Sequence, residues 1–178
     1  MQKIALSTVN ILHTICLNDR PKIPTTDLVQ TVCAHGIGYH DTYTKQHAGG
    51  RTMVGIVLVS HSQALVEALR DYTRVIAPRA AVAVAGGMPN GEFGTSYGSV
   101  YRAISEVNNP DGVVVLMDMG AAAMVVKMVL GDMNDPRVCV ADCPFVEGAV
   151  EATVQAQAGI DRDSIIQSLK SLSQLRKF

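Results

Sequence analysis

From Met53 onward, short runs of β-branched and aliphatic residues alternate with stretches of helical periodicity, and this rhythm most restricts what the chain can become. Val54 to Ser60 (VGIVLVS), Ala81 to Ala85, Val113 to Met117 and Arg137 to Ala141 read as strands. Strands that are apolar on both faces and separated by helices imply a parallel sheet covered on both sides. The expected fold is therefore α/β, an open, mostly parallel sheet of four or five strands with helices on both faces.

The intervening patterns give the helices. After the first strand, Ser60 and Gln63 have capping-box spacing, and Leu65, Leu69, Tyr72 and Ile76 recur at helical intervals until Pro78. Gly86 to Gly94 (GGMPNGEFG) is a loop, and Thr95 or Ser96 can cap a second helix whose apolar face is Val100, Ile104 and Val107. Ala121 to Leu130 has high helix propensity. Two closing helices are expected at Pro144 to Ala158 and Asp161 to Leu175, the second capped by Asp161 and striped by Ile165, Leu169 and Leu172.

Residues 1–52 differ from this body. They hold four of the five histidines, His13, His35, His40 and His47, and have no sustained periodicity. Pro21, Pro24 and paired glycines punctuate them, as linkers and turns do. Ile4 to Leu17 is too short and too polar to cross a bilayer, and the segment makes a poor secretory signal or mitochondrial presequence. We expect a poorly ordered N-terminal extension over 1–52 and a folded domain over 53–178, with Met53 an alternative start of translation. The scattered histidines have no carboxylate or thiol placed to complete a metal site, so none is expected.

Composition narrows the function. Hydrophobic residues are 48% and charged residues 17% of the chain, enough for a core and too little charge for disorder. The net charge of −1, the low aromatic content of 4% and the missing Trp argue against nucleic acid and against an anionic membrane. Cys16, Cys33, Cys139 and Cys143 form neither a zinc spacing nor a disulfide framework, so a reducing, cytoplasmic setting is the simpler assumption. Cys139 and Cys143 read as buried inert thiols. A GxxxxGK[ST] loop and a GxGxxG turn after the first strand are missing, and no cofactor is implied.

What remains is a pair of strand ends. In an open parallel sheet, ligands bind beyond the carboxyl ends of the strands, where the strand order reverses. His61, the body's single histidine, follows the first strand, and Asp118 follows the third, ahead of Gly120. If those strands are neighbours, an imidazole and a carboxylate meet beside helix N-termini, a setting for nucleophilic attack on a phosphoryl group with backbone amides receiving its oxygens. Each residue alone has a plainer reading, a surface or capping histidine and a helix-capping aspartate. Gly86, Gly87 and Gly91 could form a phosphate nest or simply a loop, and Glu147 could be a second carboxylate or simply a helix-start charge.

The stretches GIVLVSHS (55–62), GTSYGSVYRAISEV (94–107), DGVVVLMDMGAA (111–122) and ADCPFVEGAVEATVQAQAG (141–159) resemble the phosphotransfer subunits of phosphoenolpyruvate-dependent dihydroxyacetone kinases, themselves similar to mannose-type enzyme IIA domains of the sugar phosphotransferase system. The resemblance implies that His61 is phosphorylated by the phosphocarrier HPr, with Asp118 as its carboxylate partner. The phosphoryl group then passes to ADP on the nucleotide-binding kinase subunit, which serves the dihydroxyacetone-binding subunit. It further implies a homodimer and a phosphate pocket lined by Thr95, Gly120 and Ala121, the last standing where relatives commonly have Ser. Two rivals stay open: a mannose-type enzyme IIA in sugar uptake, against which MDMG argues because that branch resembles a DTWGGSP-like loop, and a regulatory module merely modified on His61.

Overall fold

The computed structural model of the protein describes residues 53–174. The expectations for 1–52, including the four histidines there, and for the last residues of the closing helix lie outside that range. Nine elements follow in order: β1 (Gly55–Ser60), α1 (Gln63–Ile76), β2 (Val82–Gly86), α2 (Tyr97–Val107), β3 (Val113–Met117), α3 (Gly120–Met133), β4 (Val138–Val140), α4 (Phe145–Gln157) and α5 (Arg162–Leu172). The described residues form one sheet of four parallel strands in the order β2-β1-β3-β4.

β1 is central because all six of its residues are buried. Such a run is stable only with a strand on each edge and helices on each face. Val57 and Val59 pack into one layer with Val100 and Ile104 of α2 and Ala122, Val126 and Val129 of α3. The alternate residues Ile56 and Leu58, both fully buried, turn to the face where α1 and α4 contact β1. Each such side chain contributes about 1.5–3 kcal/mol relative to exposure. Gly55 has no substitute, since a Cβ there would sit 2.5 Å from the Val107 carbonyl oxygen.

Two details of α1 depart from the sequence expectation. Its cap is Ser62, whose side chain accepts the Leu65 N–H, and not Ser60, which is the last residue of β1. Its buried face is Val66, Leu69 and Thr73, whereas Leu65 and Tyr72 are exposed. Thr73 can be buried because its hydroxyl donates to the Arg70 carbonyl at 2.8 Å. By contrast, α5 follows the expectation, with Asp161 accepting the Ser164 N–H at the cap and Ile165, Leu169 and Leu172 buried.

Candidate phosphotransfer site

The sheet order fixes where chemistry can occur. β1 has β2 on one side and β3 on the other, so the chain reverses direction across the sheet at the β1–β3 boundary, and the carboxyl ends of those two strands are where an open parallel sheet places its ligands. The register pairs Val59 with Met117, and the Asp118 N–H continues the ladder to the Val59 carbonyl at 3.2 Å. This alignment brings the residue after β3 beside the residues ending β1. His61 Nδ1 lies 3.0 Å from Asp118 Oδ1 and 3.3 Å from Oδ2.

Asp118 is held by more than the imidazole. Oδ2 accepts the Ser60 hydroxyl at 2.7 Å and the His61 N–H at 3.0 Å, while Oδ1 accepts the Met119 N–H at 2.7 Å. Partial burial pushes the Asp118 carboxyl up, but bonds from Ser60, both His61 groups and Met119 outweigh it and hold its pKa below the ordinary value. A carboxylate surrounded by donors is ionised, so the facing Nδ1 carries a proton and the Nε2 lone pair stays free. The His61 side chain keeps 19% of its surface exposed, enough for one ring edge to be reached.

Two helix N-termini frame this pair. α1 is closed by the Ser62 cap, whereas α3 starts at Gly120 after Met119 with no side-chain cap. Gly120 and Ala121 are therefore exposed first-turn residues directly after Asp118, where anions are favoured by the free amides and the helix dipole. The loop after β2 closes on the same edge: the Gly94 N–H donates to the His61 carbonyl at 3.0 Å, and the Gly87 N–H to the Ser60 carbonyl at 3.2 Å. Thr95 follows Gly94, and because Ser96 caps α2, the Thr95 hydroxyl is not used there. Its oxygen is buried and has no hydrogen-bond partner.

Other expected features resolve more plainly. The Gly87 amide is engaged by Ser60, and Gly91 closes a turn onto the Met88 carbonyl at 2.9 Å, so this segment behaves as a loop and not as a phosphate nest. Glu147 sits in the first turn of α4, and its charge adds to the effects on Cys143. Cys139 and Cys143 are free and half-buried, not fully buried as expected. Burial, then the charges of Asp142 and Glu147, pushes the Cys143 thiol up to about 11, which makes it a poor nucleophile at neutral pH. Among the described residues no group of three or more His, Cys, Asp or Glu is placed to hold a metal.

One contributor, Ser60, escaped the sequence reading. The available signal was a hydroxyl at the end of an otherwise apolar buried strand, which needs a partner somewhere.

The family model of the PTS system fructose IIA component, EIIA-man, matches residues 55–166, which takes in every residue of this site. The chain belongs to that family. It is 34% identical over 118 residues to the PTS-dependent dihydroxyacetone kinase phosphotransferase subunit DhaM of Lactococcus lactis subsp. lactis, covering 66% of this chain and 94% of that one. It is 40% identical over 124 residues to the PEP-dependent dihydroxyacetone kinase phosphoryl donor subunit DhaM of Pantoea ananatis, spanning 64% of this chain but 26% of that longer protein. The crystal structure of the unknown-function protein EF1359 shares the fold, with a TM-score of 0.60 at 20% identity, covering 68% of this chain and 95% of that one. The EIIA-man match thus accounts for the α/β architecture, and the DhaM relatives agree with the resemblance carried by VSHS and MDMG.

Proposed function

We propose that this protein is a phosphocarrier that relays phosphoryl groups through His61 to a dihydroxyacetone kinase. The observation that carries the reading is the His61 Nδ1 to Asp118 contact of 3.0 Å at the β1–β3 strand ends, together with the DhaM relatives. In the first step the Nε2 lone pair attacks the phosphorus of a phosphohistidine donor, HPr. The new N–P bond forms as the donor's N–P bond breaks, its electron pair returning to the donor imidazole. The imidazolium charge that develops on His61 faces the ionised Asp118.

In the second step that N–P bond breaks, its pair returns to Nε2, and the phosphoryl group joins the terminal phosphate oxygen of ADP on the nucleotide-binding subunit. The Gly120 and Ala121 amides and the Thr95 hydroxyl receive phosphoryl oxygens in both steps. The same reading makes the protein cytoplasmic and homodimeric, serving the dihydroxyacetone-binding subunit by way of the nucleotide-binding one. No helix among the described residues is long and apolar enough to cross a membrane.

The test is incubation with phosphoenolpyruvate, enzyme I and HPr, followed by intact-mass measurement. Wild type is expected to gain one acid-labile phosphoryl group and His61→Ala none; an unlabelled wild type would remove the proposal. Adding the kinase subunits with ADP should discharge the phosphohistidine, and persistence of the label would favour the sugar-uptake rival.

The pH dependence follows from Asp118. Its carboxyl titrates below the ordinary 3.8, so the stability from its bonds is complete above that value and is lost as pH falls through the lower folded-state pKa. Denaturation midpoints between about pH 2 and 5 are expected to fall with acid more steeply in wild type than in Asp118→Asn.

A further inference from the structure

Four donors hold Asp118, and one differs in kind. The His61 amide, the Met119 amide and the imidazole are N–H groups fixed by the backbone or by the nucleophile itself. Ser60 instead offers a hydroxyl, with one proton and two acceptor lone pairs. It accepts the Ser62 N–H at 3.0 Å, the amide of the residue that caps α1. With an N–H donor on one side and a carboxylate on the other, its proton has a single useful direction, toward Asp118 Oδ2 at 2.7 Å. Ser60 is fully buried, so water cannot substitute for either partner.

We propose that Ser60 is a positioning residue of the phosphotransfer site: its hydroxyl fixes the rotation of the Asp118 carboxylate and thereby keeps His61 in the Nδ1–H tautomer. The inference rests on the phosphohistidine reading and extends it to a residue that acts through Asp118. Rotation about the terminal bond of an aspartate is soft and broadly distributed, so the carboxylate needs an external hold to keep one oxygen on the imidazole. Ser60 anchors Oδ2, which leaves Oδ1 nearer to Nδ1, at 3.0 against 3.3 Å. A neutral imidazole otherwise takes either tautomer, and the Nε2–H form has no lone pair aimed outward for attack. The hydrogen bond from Ser60 is also one of those that keep the Asp118 carboxyl ionised.

The experiment combines Ser60→Ala, Asp118→Ala and the double variant, with two readouts. Nitrogen-15 spectra of the unphosphorylated proteins report the His61 tautomer, and labelled phospho-HPr reports the initial rate of phosphorylation. Ser60→Ala is expected to raise the Nε2–H population and to slow phosphorylation about tenfold, as loss of an outer partner of a functional group commonly does. Because Ser60 acts through Asp118, adding Ser60→Ala to Asp118→Ala should change the rate little further.

An unchanged tautomer in folded Ser60→Ala, or the same loss with and without Asp118, would overturn the inference and leave Ser60 a packing residue. Should the alanine variant fail to fold, Ser60→Cys keeps the side chain with only a weak donor and carries the same two readouts. A wild type that phospho-HPr cannot label would defeat the phosphohistidine reading, while the tautomer comparison still decides whether Ser60 holds the pair.

Discussion

Two helices begin at the same edge of the sheet, a few residues past neighbouring strands, and they are finished differently. α1 follows β1 and is closed by Ser62, whose oxygen takes the Leu65 amide at 3.3 Å. α3 follows β3 in the same sense, yet its N-cap is Met119, with the extended backbone of a capping residue at φ −138° and ψ 161° and no side-chain bond. A capped terminus has used part of its electropositive end, whereas an uncapped one keeps its amides for a ligand. Under the proposed function the contrast gives the two ends separate duties: α1 would support His61 through the Ser62–Ser60–Asp118 chain, and α3 would receive the phosphoryl oxygens.

The most severe way to disturb this division is to move α1. A Cβ on Gly86 would meet Val66 Cγ2 at 2.6 Å and the backbone of Gln63 and Ser62 at 2.7 Å, so the start of α1 has to shift. Gly86→Ala is therefore expected to cost about 2–3 kcal/mol in chemical denaturation and to slow His61 phosphorylation. At α3, nothing lies within 4 Å of a Cβ built on Gly120. Gly120→Ala should fold normally, and equal losses in the two variants would show that the two ends are not differently packed.

How much of this was readable from residues alone depends on what each feature requires. β1 and β3 were legible because buried β-branched runs have few other uses, and His61 and Asp118 were legible because each follows such a run. The phase of α1 was not. Leu65, Leu69, Tyr72 and Ile76 fit a helix period as well as the observed face of Val66, Leu69 and Thr73 does, and the deciding fact is that Thr73 satisfies its hydroxyl locally. The capping-box spacing of Ser60 with Gln63 points Ser60 to the wrong task, because the cap that forms is Ser62, which has Leu65 and not an acid or amide three residues on. Only the pairing of Val59 with Met117 sends Ser60 to Asp118. Local pattern carries no information about that long-range register.

A smaller perturbation tests the cap itself. Ser62→Ala removes the oxygen that takes the Leu65 amide, and a loss of about 1 kcal/mol is expected, with faster hydrogen exchange at Leu65. The Ser62 backbone amide survives the substitution, so its bond to Ser60 remains and the phosphorylation rate should stay close to wild type. A large drop in rate would mean that the hydroxyl of Ser62, and not only its amide, belongs to the site.

The smallest expected change in stability runs in the opposite direction and bears most directly on the contrast. Met119 already has cap geometry and its side chain is exposed, so Met119→Ser can supply the missing hydroxyl without repacking the core. The added cap should stabilise the fold by about 0.5–1 kcal/mol. The same oxygen would occupy the first-turn amides of α3 that the proposed function assigns to the phosphoryl group, so phosphorylation of His61 should slow several-fold in the more stable protein. Stability and rate moving apart is the signature of a helix end left open for a ligand. If Met119→Ser stabilises the protein and phosphorylation proceeds as in wild type, the α3 amides do not hold phosphoryl oxygens, and Thr95 becomes the remaining candidate donor.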